Sequence, residues 1–153
     1  MLFRAGDRCR RREAYPFRCF RRALKGTIPP DVSIPLHSHA DTEAFVVLSG
    51  AVKGLRQDDR GSSWVDARAG NFLHVPAGIR HAWRNDSDAP VVMIIFTTRK
   101  MGCFFREIGR IPTATPHPPA PEDLAHFTEV PTRYGYWNAT PEENAAVGID
   151  LHF

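Results

Sequence analysis

The chain has 153 residues, 42% of them hydrophobic and 24% charged, the size and composition of one ordinary soluble domain. No apolar run approaches the ~20 residues needed to span a bilayer, and the three cysteines (Cys9, Cys19, Cys103) show no paired zinc-type spacing. Residues 1–25 hold nine Lys/Arg against Asp7 and Glu13, a local +7, but Tyr15, Phe17, Cys19, Phe20 and Leu24 interleave with the arginines as on half-solvated strands. With no nucleic-acid module beside that charge, the reading excludes a nucleic-acid partner and a membrane partner.

In chain order, residues 1–30 read as a lead-in with one or two strands, closed by the turn "IPPD". The start "MLFRAGDRCRRREAYPFR" has no apolar h-region, which with the unpaired cysteines gives a cytoplasmic expectation. Residues 31–100 contain seven short β-rich runs: "VSIPLH", "EAFVVL", "AVKGLR", "SSWVDA", "NFLHV", "RHAWRN" and "VVMIIFTT". The segments between them, such as "QDDRG", "PAG" and "NDSDAP", carry turn chemistry. The run Val91 to Thr98 is apolar on both faces, as a central strand is. Beyond Lys100, "MGCFFREIGRI" reads as a short helix or turn, and "PTATPHPPAP" is too rich in proline for a helix or a central strand. Glu122 to Phe127 reads as a helical turn. Thr140, Pro141 and two following acids make a good helix start. The tail 101–153 is too small for its own core, so the whole chain 1–153 is read as one domain with the tail packed on an all-β barrel.

One stretch carries chemistry. In "PLHSHADTEAFVVLSG", His37, His39 and Glu43 share strand parity, along with Phe45 and Val47, if a strand runs through. Two imidazoles and a carboxylate facing one interior need compensation, which a divalent cation supplies. The donor set suits Fe, Mn, Co, Ni, Cu or Zn rather than Mg or Ca. Alone, the pattern equally describes a solvated polar loop. A second stretch, "GNFLHVPAGIRHAWRN", offers His81 at the head of a strand, after a tight turn made by Pro76 and Gly78.

Together the two stretches resemble the cupins. His37, His39, Glu43 and Gly50 fit the family's first motif, and Gly70, Pro76, Gly78, His81 and Asn85 fit all of its second. Asp31 stands where the first motif has a glycine. The tail "GCFFREIG…PEDL…RYG" is similar to that of single-domain bacterial cupins of the quercetin-dioxygenase-like kind. The resemblance implies a double-stranded β-helix, the cupin jelly-roll barrel, with short C-terminal helices. It implies one divalent transition metal held by His37, His39, Glu43 and His81, with Glu43 as ligand and catalytic base. The implied reaction is a dioxygenase acting on an enolisable or aromatic hydroxylated small molecule. A non-redox isomerase, cyclase or decarboxylase, or a ligand-binding cupin without catalysis, are the alternatives.

Phe45, Phe72, Trp83 and Ile95 are expected to line the substrate cavity, Trp83 foremost because it lies two residues from His81. Plain barrel core is the competing role for these apolar residues. Asn85 is expected to fix a turn, and Phe104, Phe105 and Arg106 to cap the barrel mouth, pack outside the sheet or meet a second copy. Exposed strand edges, with the segment from Phe17 to Leu24 as a pairing strand, lead to the expectation of a homodimer.

Overall fold

The computed structural model describes residues 21–109 and 129–150. Two antiparallel sheets face each other. One has the strand order β1-β8-β3-β6, built from β1 (Arg22–Ile28), β3 (Glu43–Ser49), β6 (Phe72–Val75) and β8 (Val91–Thr97). The other has the order β5-β4-β7-β2-β9, built from β2 (Ser33–Ser38), β4 (Ala51–Asp58), β5 (Gly61–Arg68), β7 (Arg80–Arg84) and β9 (Trp137–Asn138). The architecture is the expected all-β jelly roll with a few short helices. Among the described residues no helix is long and apolar enough to cross a membrane.

Consecutive strands change sheet where the chain can bend. Between β3 and β4, Gly50 has φ +79°, and a Cβ there would fall 2.8 Å from the Pro90 carbonyl oxygen, so only glycine fits the crossing. Asp31, at the position where the family motif has glycine, has φ +56°. The turn still demands the left-handed region, which Asp tolerates better than most side chains.

Between the sheets lies a core of Ile28, Phe45, Val47, Val52, Trp83, Val91, Met93 and Ile95, with Leu24, Leu73, Ile79 and Phe105 packed against it. Trp83 lies over Gly54, its cross-strand partner, where a Cβ would meet the ring at 2.9 Å. Asn85 is fully buried and donates to the carbonyls of Ile28, Pro29 and Ala89, while its oxygen accepts from the Ser87 amide and hydroxyl. It therefore clamps the β7–β8 loop to the end of β1.

Helix α1 (Arg99–Ile108) follows β8 directly, capped by Thr98, whose hydroxyl accepts from the Met101 amide. Residues 129–133 are also helical, and α2 (Pro141–Ala146) begins with a capping box between Thr140 and Glu143. The segment 137–149 covers the outer face of the five-stranded sheet. Ile149, Val147, Trp137 and Ala139 join Leu36, Leu55, Ala82 and Trp64 in a second apolar cluster. Buried Asn144 ties it down, accepting from the Leu36 amide at 2.8 Å and donating to the carbonyls of Ala139 and Thr140. The expected turn at 122–127, and the part of the expected pairing strand before Arg21, lie outside the described residues.

Asn144→Ala strands the buried Leu36 amide, so it should cost ~1–3 kcal/mol of unfolding free energy, the usual penalty for an orphaned buried donor. Urea denaturation checks this; an unchanged midpoint would show that the tail is not held through Asn144.

Candidate metal centre

The two histidines of the first motif and the glutamate that follows do not sit on one continuous strand. β2 ends at Ser38, the chain turns at residues 40–41, and β3 begins at Glu43 in the opposite sheet. His37 and Glu43 therefore meet across the barrel rather than along a strand. His37 is the cross-strand partner of His81 on β7, which brings the second motif beside the first.

The imidazole nitrogens of His37, His39 and His81 lie within 4.8 Å of one another. Glu43 Oε2 approaches His39 Nε2 at 3.2 Å and His81 Nε2 at 3.4 Å. Each ring is oriented by its other nitrogen. His37 Nδ1 lies 2.7 Å from the Pro35 carbonyl, His39 Nδ1 2.8 Å from that of Asp41, and His81 Nδ1 2.9 Å from that of Ile79. A carbonyl accepts only, so Nδ1 carries the proton, and in the neutral ring Nε2 presents a lone pair.

Those lone pairs point at one another and at a carboxylate. His39, Glu43 and His81 are 4%, 2% and 1% exposed, so water does not compensate them. His39 Nε2, His81 Nε2 and Glu43 Oε1 have no hydrogen-bond partner. The Nε2–Oε2 separations are ion-pair distances without hydrogen-bond geometry, as expected of two acceptors brought face to face. Four converging acceptors with no donor are costly when buried, and a divalent cation at their centre removes the cost. The residues thus fit a metal, and three imidazoles with a carboxylate suit a transition ion.

Burial, reinforced by His81, pushes His37 down to about 3 from 6.5. Burial alone would raise Glu43; hydrogen bonds and charge from His39 and His81, available when a proton rather than a cation sits on Nε2, outweigh it and hold the carboxyl at about 2. Both groups bind fewer protons folded than unfolded, so each contributes stability at neutral pH that acid removes.

Residues far away in sequence close this end of the barrel. Asp41, buried beside His39, accepts from the Thr98 hydroxyl and, at 2.9 Å, from the Tyr136 hydroxyl. It thereby holds the loop whose carbonyl orients His39. The Tyr136 ring lies 5.3 Å from the His39 ring and 4.9 Å from that of Phe104. Burial and the bond to Asp41 push the Tyr136 phenol well above its ordinary range. Tyr134 donates to Glu107 at 3.0 Å, and Arg133 pairs with the same carboxylate, so the segment after residue 129 is pinned to α1. Neither Asp41 nor Tyr136 stands out in the sequence; they lie 95 positions apart, and only the closed barrel pairs them.

Of the residues expected to line a cavity, Phe45, Trp83 and Ile95 face the interior, with Phe45 and Trp83 rings 4.5 Å apart. Phe45 and Trp83 each lie two residues from a member of the cluster, on the same face, and form an apolar floor beneath it. Phe72 does not line the interior: it is 54% exposed. In β3–β6 pairing Phe45 is opposite Leu73 and Val46 opposite Phe72, so Leu73 turns inward and Phe72 outward. His74 shares that outer face, with Thr42 Oγ1 3.1 Å from its Nε2.

Residues 25–97 match the family described as Cupin domain. No match was found among curated proteins. Among solved structures, the chain is similar to a recombinant oxalate oxidase in complex with glycolate, at 20% identity and TM-score 0.46, over 50% of this chain and 40% of that one. It is likewise similar to a Cupin 2 conserved barrel domain protein from Salinispora arenicola CNS-205, at 22% identity and TM-score 0.44, over 50% of this chain and 60% of that one. A third is the Drosophila melanogaster CENP-C cupin domain, at 13% identity and TM-score 0.46, over 50% and 59% of the two chains. The chain thus spans between two fifths and three fifths of these structures, and likenesses of this degree carry no functional argument.

Two outcomes are expected. Alanine at His37, His39 or His81 should sharply lower cobalt or zinc occupancy while leaving the barrel folded; unchanged occupancy by elemental analysis would place the ion elsewhere. The metal-free protein should lose thermal stability as pH falls from about 6.5 toward 3, the span of His37, with the contribution of Glu43 lost between 4.5 and about 2. A melting temperature flat across that range would contradict the burial of these groups. Their convergence inside two facing sheets agrees with the match of residues 25–97 to the Cupin domain family, which supports the cupin superfamily for this chain.

Proposed function

We propose that the chain is a metal-dependent enzyme, a dioxygenase acting on an enolisable or aromatic hydroxylated small molecule, with His37, His39, His81 and Glu43 as the ligand set. The observation that supports it most is the group of buried acceptors on His39, His81 and Glu43 that have no donor among them. Three or four protein ligands leave coordination positions open, as catalytic rather than structural sites do. A bound transition ion would polarise an enol or phenol oxygen of the substrate and, if redox-active, support reaction with dioxygen.

The chain's own residues define the rest. The Nδ1 bonds to Pro35, Asp41 and Ile79 carbonyls hold the three rings in the ligating tautomer before any ion arrives. Glu43 Oε1, which lacks a partner, is placed to accept a hydrogen bond from a substrate hydroxyl, and its low proton affinity keeps it ionised at neutral pH. Phe45 and Trp83 beneath the cluster exclude water and offer an apolar surface to a planar substrate. Tyr136, beside the His39 ring and backed by Phe104, shields the cluster from the side of the tail.

Assembly belongs to the same proposal. Among the described residues β1 and β6 are the two edge strands of the four-stranded sheet, and Phe72 on β6 is 54% exposed. A cytoplasmic homodimer paired through the β1 edge, with the segment from Phe17 to Leu24, is the assembly that we propose.

Glu43→Gln keeps the shape and removes the basicity. If Glu43 is the base, that variant should retain much of its metal and lose turnover by roughly 100-fold or more. Parallel loss of metal and activity would reduce Glu43 to a ligand. Oxygen uptake measured with candidate enols tests the reaction itself: turnover without oxygen consumption would overturn the dioxygenase reading.

A further inference from the structure

We propose that Arg56 is a specificity-determining residue that reads a carboxylate on the substrate, while another oxygen of the same molecule meets the metal centre. The inference rests on the metal reading above and narrows the substrate to small organic acids.

The argument is one of register. Within the five-stranded sheet, His37 on β2 is opposite His81 on β7, His81 is opposite Arg56 on β4, and Arg56 is opposite Ser63 on β5. Directly opposed residues share a face. The face is the interior one, because the next pair on the same face, Gly54 and Trp83, puts the Trp83 ring in the barrel core. A single row on that face therefore runs from the imidazole cluster to Arg56 and Ser63, which are exposed at its far end, the Arg56 side chain by 63%. Adjacent strands are ~4.8 Å apart, so Arg56 starts one strand spacing from a proposed ligand.

Where that row reaches the tip of the β4–β5 hairpin there is a cavity of about 240 Å³, lined by Arg56, Asp58, Arg60, Gly61, Ser62 and Ser63. It is polar, and its two cations outnumber its one carboxylate. Asp58 is already engaged, accepting from the Arg60 amide at 2.9 Å and pairing with Arg56 Nη2 at 2.7 Å. Asp58 thus acts as an anchor that aims the guanidinium. Among the described residues it is the sole charged partner of Arg56, and a guanidinium has five N–H donors, enough for Asp58 and a bidentate carboxylate together. A larger cavity of about 500 Å³ lies around Lys53, Asp66, Arg68 and Asn71. Of its three cations, Lys53 and Arg84 are paired with Asp86, and Arg68 is not in the row of residues opposite the cluster.

The test titrates malonate and succinate, each with one carboxylate for the ion and one for Arg56, into the cobalt(II)-loaded full chain. The readouts are calorimetry and the visible cobalt spectrum. Arg56→Met should leave cobalt occupancy unchanged and weaken dicarboxylate binding by about 10-fold or more, the worth of a charge-assisted bond. Arg56→Lys should recover only part of it, because a point charge does not reproduce the fork. Arg68→Met, a charge-matched control outside the cavity, should change affinity by less than about 2-fold. Equal dicarboxylate affinity in wild type and Arg56→Met, an equal loss in Arg68→Met, or no dicarboxylate binding by the cobalt-loaded wild type would overturn the role of Arg56 and leave the metal centre intact. Failure of wild type to take up cobalt would instead overturn the metal reading, and the role of Arg56 with it.

Discussion

The arrangement on which everything else depends is electrostatic: lone pairs on buried imidazoles face one another and a carboxylate, without a donor between them. A fold does not keep such a cluster by packing alone, since each uncompensated acceptor costs stability. The surrounding structure is built to keep it nonetheless. Three backbone carbonyls set the tautomers, Asp41 holds the loop that supplies one of those carbonyls, and Tyr136 and Thr98 satisfy Asp41 in turn. The cluster is preorganised for a cation, and the cost of assembling it is met by the rigidity of two facing sheets.

Much of this was legible in the amino-acid pattern. The His37–His39–Glu43 and Pro76–Gly78–His81 spacings point to the site because ligand geometry restricts where those side chains stand. Short β-rich runs between turn residues give the sandwich, and Thr140-Pro141 with its acids gives α2. Period-two parity and apolar character proved weaker guides. Apolar character alone led to the expectation that Phe72 lines the cavity, whereas pairing with β3 turns it outward. The shared parity of His37 and Glu43 held only if one strand ran through both, whereas the chain crosses from one sheet to the other after Ser38. A short run does not reveal which of its two faces is buried; only the partner strand decides.

The long-range parts were illegible for a related reason. Asp41 and Tyr136, Leu36 and Asn144, and His81 and Arg56 become neighbours only through closure and register. Nothing local marks Arg56, an exposed arginine near a hairpin tip, as different from Arg60 or Arg68. The register does, by aligning it with His81. The Asp31 position shows the converse: the departure from glycine is plain in the sequence, and the positive φ shows that the turn is preserved despite it.

The central claim is that one transition ion is held by three histidines and a carboxylate in this barrel. X-ray absorption at the metal edge, on the full chain purified without a metal-affinity tag, tests it most directly. The account predicts one ion per chain with three imidazole nitrogens and at least one oxygen at ~2.0–2.2 Å. A spectrum dominated by sulfur ligands, or one with fewer than three imidazoles, would contradict it.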